Sequence, residues 1–154
     1  MRQNTKANWI TWAILAFIAA VSFLIVRIAL EDPTGWISFS AVYACDEQGS
    51  PKLEWRRGER LIYCREGVMK KAYPRQVYGT LYNDDLKINF MTVPVTAGAN
   101  QVLGPFHLRF AGVVLDKDLP LGNYSWRSTV EVYTSQLRNP VMVDYPPVHF
   151  RIVK

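Results

Sequence analysis

Only two histidines, His107 and His149, occur in the 154 residues, and imidazole is the side chain whose ordinary pKa suits proton transfer near neutrality. Ser125 and Ser128 are the hydroxyls that either histidine could serve as a base. No G-x-S-x-G turn and no Cys-His motif accompanies them, so acid, base and nucleophile do not converge in the sequence. A copper site would draw on His107, His149, Met69, Met91 and Met142, with the cysteines as further ligands, because thioether and imidazole suit that ion outside the cytoplasm. None of these is spaced as a motif. Asp84-Asp85 and Asp116 with Asp118 could bind calcium, but turns select short acids at such positions for simpler reasons. The expectation is a chain with no catalytic residue, no metal and no cofactor.

The only cysteines are Cys45 and Cys64, at a spacing that matches neither C-x-x-C nor a zinc knuckle. In oxidising surroundings such a pair is usually a disulfide. Two buried free thiols are the alternative.

Charge offers a different chemistry. Lys52 to Arg75 holds eight cations (Lys52, Arg56, Arg57, Arg60, Arg65, Lys70, Lys71 and Arg75) against Glu54, Glu59 and Glu66. Trp55, Tyr63 and Tyr73 interleave them. Such a surface could meet an acidic protein, an anionic polymer or lipid headgroups, or it could be a solvated strand edge that discourages aggregation. Arg56, Arg57, Arg60, Lys70 and Lys71 are the docking residues it nominates. Tyr78, Tyr82, Tyr133 and Tyr145 form a second interaction set, since rings with polar tips favour interfaces.

What positions these residues begins with Trp9 to Leu30. Ile10 to Val26 contains no charge, Gly or Pro, and the run is long enough to cross about 30 Å of hydrocarbon as a helix. It reads as a retained transmembrane anchor. The alternative is a cleaved signal peptide, for which only Ala20-Val21-Ser22, in mid-run, resembles a cleavage site. Arg2 and Lys6 precede the span while Glu31 and Asp32 follow it, so the positive-inside tendency keeps residues 1–8 cytoplasmic and the body outside. Trp9, Trp12 and Trp36 are candidate interfacial anchors. The first 30 residues hold three of the 18 cations and no acid, which leaves 15 basic against 13 acidic side chains in the body. Nucleic-acid binding therefore has no compositional support there.

After a linker at residues 31–36, residues 37–154 carry the alternation of strands. Ile37, Phe39, Ala41 and Tyr43 share one side of the first. Leu61 to Cys64 is a short second, and Gln76–Tyr82 with Leu86–Thr92 makes a hairpin. Pro94 to Pro105 reads as a loop. Phe106–Leu115 and the run from Tyr124 to Val132 are strands, Leu137–Pro147 an irregular edge, and Val148–Val153 a final strand. About seven strands with no helical period imply one all-β antiparallel sandwich behind one N-terminal membrane helix. Leu119-Pro120-Leu121-Gly122-Asn123-Tyr124 before a strand resembles the tyrosine corner of immunoglobulin-like and fibronectin type III domains. That resemblance implies a structural role for Tyr124, whose hydroxyl would bond backbone upstream, with Gly122 at the tight corner.

The expectation for function is a noncatalytic, single-pass membrane protein. Its lipid contact is residues 9–30, and its extracytoplasmic domain binds or scaffolds a protein of the envelope or of a membrane complex. In a variant of this reading the helix itself carries the contact, through Ala13, Ala16, Ala19 and Ala20. The reading from another class is an extracytoplasmic copper-handling or redox accessory module.

Overall fold

Helix α1 (Asn4–Ala29) takes up the apolar run, and Trp9–Ala29, 21 residues, is long and apolar enough to cross a membrane. None of that stretch is buried against the rest of the protein. The computed structural model describes residues 4–95, 103–135 and 138–154. A helix end leaves carbonyls unsatisfied and favours a cation. Here Arg138 Nη1 donates to the carbonyls of Ala29 and Glu31, each at 3.0 Å. Lys71 Nζ and Tyr73 hydroxyl both donate to Glu31 Oε1, so the helix exit is clasped to the β-domain.

The described regular elements of the body are all β: β1 (Ile37–Ala44), β2 (Glu54–Arg56), β3 (Arg60–Met69), β4 (Arg75–Asn83), β5 (Ile88–Val95), β6 (Gly104–Val114), β7 (Gly122–Val132) and β8 (Val141–Val153). They form two sheets, in the orders β1-β3-β6 and β2-β8-β7-β4-β5. Every pairing is antiparallel except β2 with β8. The strand absent from the sequence expectation is β2, where pairing with β8 draws Trp55 inside to 3% exposure.

Bulges account for the positions where simple alternation misplaces residues, because one extra residue reverses which face the following side chains occupy. In β1 the register shifts between Phe39 and Ala41. Phe39 packs inward, but beyond the shift it is Val42 and Ala44 that meet the core, and Tyr43 turns out to bond Glu66. In β6 a shift opposite Arg60 and Ile62 brings Val113 onto the core and leaves Val114 exposed. Of the irregular edge expected over Leu137–Pro147, Leu137 lies outside the described residues, and Val141 to Pro147 belong instead to one strand, β8. Its Pro146 and Pro147 stand opposite the single residue Arg127, since proline has no N–H to give the ladder.

Two core clusters fill the sandwich. The one far from α1 gathers around Trp126 and Tyr63; the one near α1 contains Trp36, Tyr73, Val130 and Tyr145. Trp36 is 4% exposed, so it is a core residue rather than an interfacial anchor. Burying an indole of about 200 Å² is worth roughly 5 kcal/mol. Gly79 permits it at Trp126, because any Cβ there would overlap the Trp126 ring. Between the clusters lies Arg65, 3% exposed, with Nη2 donating to Ser128 Oγ at 2.9 Å and, among the described residues, no carboxylate partner. Its guanidinium stands 5.1 Å from the Tyr63 ring centre, 4.8 Å from Tyr145 and 5.6 Å from Phe39. Burial pushes its pKa below the ordinary arginine value.

Cys45 and Cys64 are bonded, with 5.9 Å between their Cα atoms. They tie the end of β1 to its neighbour β3 within one sheet. Tyr124 donates its hydroxyl to the carbonyl of Pro120 at 2.8 Å. Gly122 holds φ 146°, and a Cβ there would stand 2.5 Å from Asp85 Oδ2.

Candidate functional site

The polar residues with the greatest chemical interest converge on the outer face of the five-stranded sheet, beside the β4–β5 turn. Asn83 Oδ1 accepts from the N–H groups of Asp85 and Leu86, which folds the turn and aims Asp84 back over β7. Asp84 Oδ1 then accepts from Ser125 Oγ at 2.9 Å and from Arg127 Nη2 at 3.3 Å, while Oδ2 lies 3.4 Å from His149 Nδ1. Arg127 Nε donates to Ser125 Oγ at 3.2 Å, and its guanidinium lies 3.5 Å above the Tyr82 ring centre. Asp85 accepts from the N–H and side-chain amide of Asn123, which hold its carboxyl below the ordinary value.

This cluster contains Ser, His and Asp, yet in an order unsuited to nucleophilic catalysis. In a catalytic triad imidazole stands between hydroxyl and carboxylate. Here the carboxylate stands in the middle, and the buried Ser125 hydroxyl donates a hydrogen bond to Asp84 and accepts one from Arg127. Ser128 faces the core and accepts from Arg65. His107 lies on the other sheet, 3.1 Å from Glu66 Oε1. Such an arrangement can present oriented donors, acceptors and an aromatic face, which is recognition chemistry.

The ligands of the copper reading are dispersed. His107 and His149 occupy different sheets, Cys45 and Cys64 are bonded to each other, Met69 is buried near α1, and Met142 is exposed on β8. Among the described residues no three His, Cys, Asp or Glu side chains are grouped to hold a metal.

The nominated basic residues separate into two places. Arg56, Arg57 and Arg60 are exposed around the turn from β2 into β3, at the end far from α1. Among the described residues none of the three has a carboxylate within ion-pair distance. The one acid in their turn, Glu59, is taken by Lys52 at 3.0 Å and by the Arg56 N–H. Lys70 and Lys71 follow β3 at its other end, about 30 Å away at the rise of a strand. There Lys71 is engaged by Glu31. Arg65 and Arg75, counted with them in the sequence, face inward; Arg75 lies 4.9 Å from the Trp36 ring centre. Of the four tyrosines, Tyr78, Tyr82 and Tyr133 remain at least partly exposed, and Tyr145 is core, against Phe39 and Trp36. The Arg127 to Asp84 connection and the place of Arg65 were missed in the sequence. The signal that could have found the second is that Arg65 shares strand parity with Leu61 and Tyr63.

No known protein-family profile matches the chain, and no curated protein is significantly similar to it. Among solved structures, the C-terminal domain of wzt is similar in fold, with a TM-score of 0.54 at 10% identity over 77% of this chain and 74% of that one. The fold is thus a two-sheet sandwich of that kind. Pseudomonas fluorescens alkylpurine DNA glycosylase AlkC, bound to DNA containing an abasic site analog, aligns at a TM-score of 0.47 and 11% identity over 77% of this chain and 31% of that one, too slight to carry an argument.

Proposed function

We propose that the chain is a noncatalytic, single-pass membrane protein whose immunoglobulin-like domain stands outside the cytoplasm and captures a protein partner of the envelope or of a membrane complex through Arg56, Arg57 and Arg60. The observation that carries this reading is the placement of these three exposed arginines, without carboxylate partners among the described residues, at the end of the sandwich opposite the helix. Cations there meet an approaching acidic surface before any other part of the domain does, and charge of this kind raises association rate and selects orientation. The disulfide supports an oxidising compartment. The tyrosine corner, with its 2.8 Å bond, supports the immunoglobulin-like assignment.

Replacing Arg56, Arg57 and Arg60 by Glu tests this. Co-purification from gently solubilised membranes should lose the partner while near-ultraviolet circular dichroism of the variant stays unchanged. Undiminished capture by the folded variant refutes the arginine tip as the docking surface.

A further inference from the structure

The helix exit carries a second recognition surface. A cavity of about 770 Å³ lies along the last turns of α1, lined by the apolar Phe23, Leu24, Val26, Ile28 and Leu30 together with Arg27, Glu31 and Lys71. The apolar residues are exposed to the surroundings of the helix. Both acids of the linker are already engaged: Glu31 by Lys71 and Tyr73, Asp32 by the N–H and hydroxyl of Thr34 at 2.9 and 2.8 Å. Arg27 has no carboxylate within ion-pair distance among the described residues, though it lies close enough to Glu31 to help lower its pKa. The lining therefore carries two cations against one acid. Apolar surface below and net positive charge above match the order of groups in a phospholipid, acyl chain below and phosphate above.

We infer that this groove binds an anionic phospholipid of the leaflet at the C-terminal end of α1, its acyl chain along Phe23 and Leu24 and its headgroup phosphate between Arg27 and Lys71. This rests on the membrane-spanning reading of α1. The site would fix the rotation of the helix relative to the bilayer and hence the direction in which the β-domain leans.

The test is native mass spectrometry of the full chain in detergent with equal amounts of phosphatidylglycerol and phosphatidylcholine. Wild type should retain phosphatidylglycerol preferentially, and Arg27→Gln, which removes no contact of the β-domain, should reduce that preference about five-fold, the factor expected for one cation near a headgroup. Lys71→Gln should do the same. Equal retention of the two lipids by wild type, or an unchanged preference in Arg27→Gln, overturns the site while leaving the spanning helix intact. Displacement of the lipid by inorganic phosphate would assign a free-anion site and overturn it too. A chain that stays in solution without detergent and binds neither lipid overturns the spanning reading and the site together.

Discussion

The buried pair Arg65 and Ser128 gives the sharpest energetic prediction. Arg65 sits between two core clusters with one side-chain hydrogen bond and three aromatic rings to offset its lost hydration. Ser128→Ala removes the only hydroxyl it donates to among the described residues, and a hydrogen bond to a charged group is worth about 1.5–3 kcal/mol, so the variant should lose about 2 kcal/mol. For a domain of this size that lowers Tm by about 8 °C. Arg65→Met keeps an unbranched chain between the rings and removes the charge; its cost should be small, because replacing a buried ion by a packed apolar group is often neutral or favourable. In the Arg65→Met background Ser128→Ala should then cost about nothing, which makes the coupling between the two positions about 2 kcal/mol. Thermal unfolding of the four proteins, followed by near-ultraviolet circular dichroism of the full chain in mild detergent, closes the cycle. Equal costs for Ser128→Ala in both backgrounds would refute the idea that Ser128 is what makes the buried guanidinium tolerable.

Three further outcomes follow from the same geometry. Replacing Cys45 and Cys64 by Ser should cost about 3 kcal/mol by release of a loop of this length, read as a fall in Tm that reducing agent reproduces in wild type. Tyr124→Phe removes the bond to the Pro120 carbonyl and should cost about 1 kcal/mol, detectable in the same melt. Glu31 has its pKa lowered, first by Lys71 and then by Tyr73, and Lys71 has its pKa raised, first by Glu31. The carboxylate contribution is thus present above its ordinary value of 4.5 and is lost as pH falls through the lower folded value; the ammonium contribution is lost only as pH rises through a folded value above 10.5. Hydrogen exchange in residues 70–73 should accelerate at acid pH in wild type and be pH-independent over that range, apart from intrinsic exchange, in Glu31→Gln.

The parts of the fold that depend on local pattern were legible in the sequence: the uncharged run of α1, the hairpin of β4 with β5, the corner at Tyr124, and the cysteine pair. The parts that depend on insertion of one residue into a ladder were not. Nothing local marks Ser40 as the extra residue that turns Tyr43 outward, and the two prolines of β8 suggest a break where the pairing with β7 resumes on either side. Trp36 follows the long apolar run and so looks interfacial, yet the rings it contacts are Tyr73 and Tyr145, the second more than a hundred residues away. The same distance in sequence hides the candidate site. Asp84, Ser125, Arg127 and His149 come from one turn and two strands, and only the register of β4, β7 and β8 places them together. Likewise eight cations in one stretch look like one surface, whereas a ten-residue strand carries them to opposite ends and turns Arg65 into the core.

The most direct measurement is protease accessibility in sealed vesicles of known orientation, followed with an antibody to the C-terminal residues. An anchored domain outside the cytoplasm predicts that protease added to right-side-out vesicles removes the β-domain, while inverted vesicles protect it until detergent is added. Digestion in inverted vesicles, or release of the intact chain from the membrane by an alkaline wash, would contradict it.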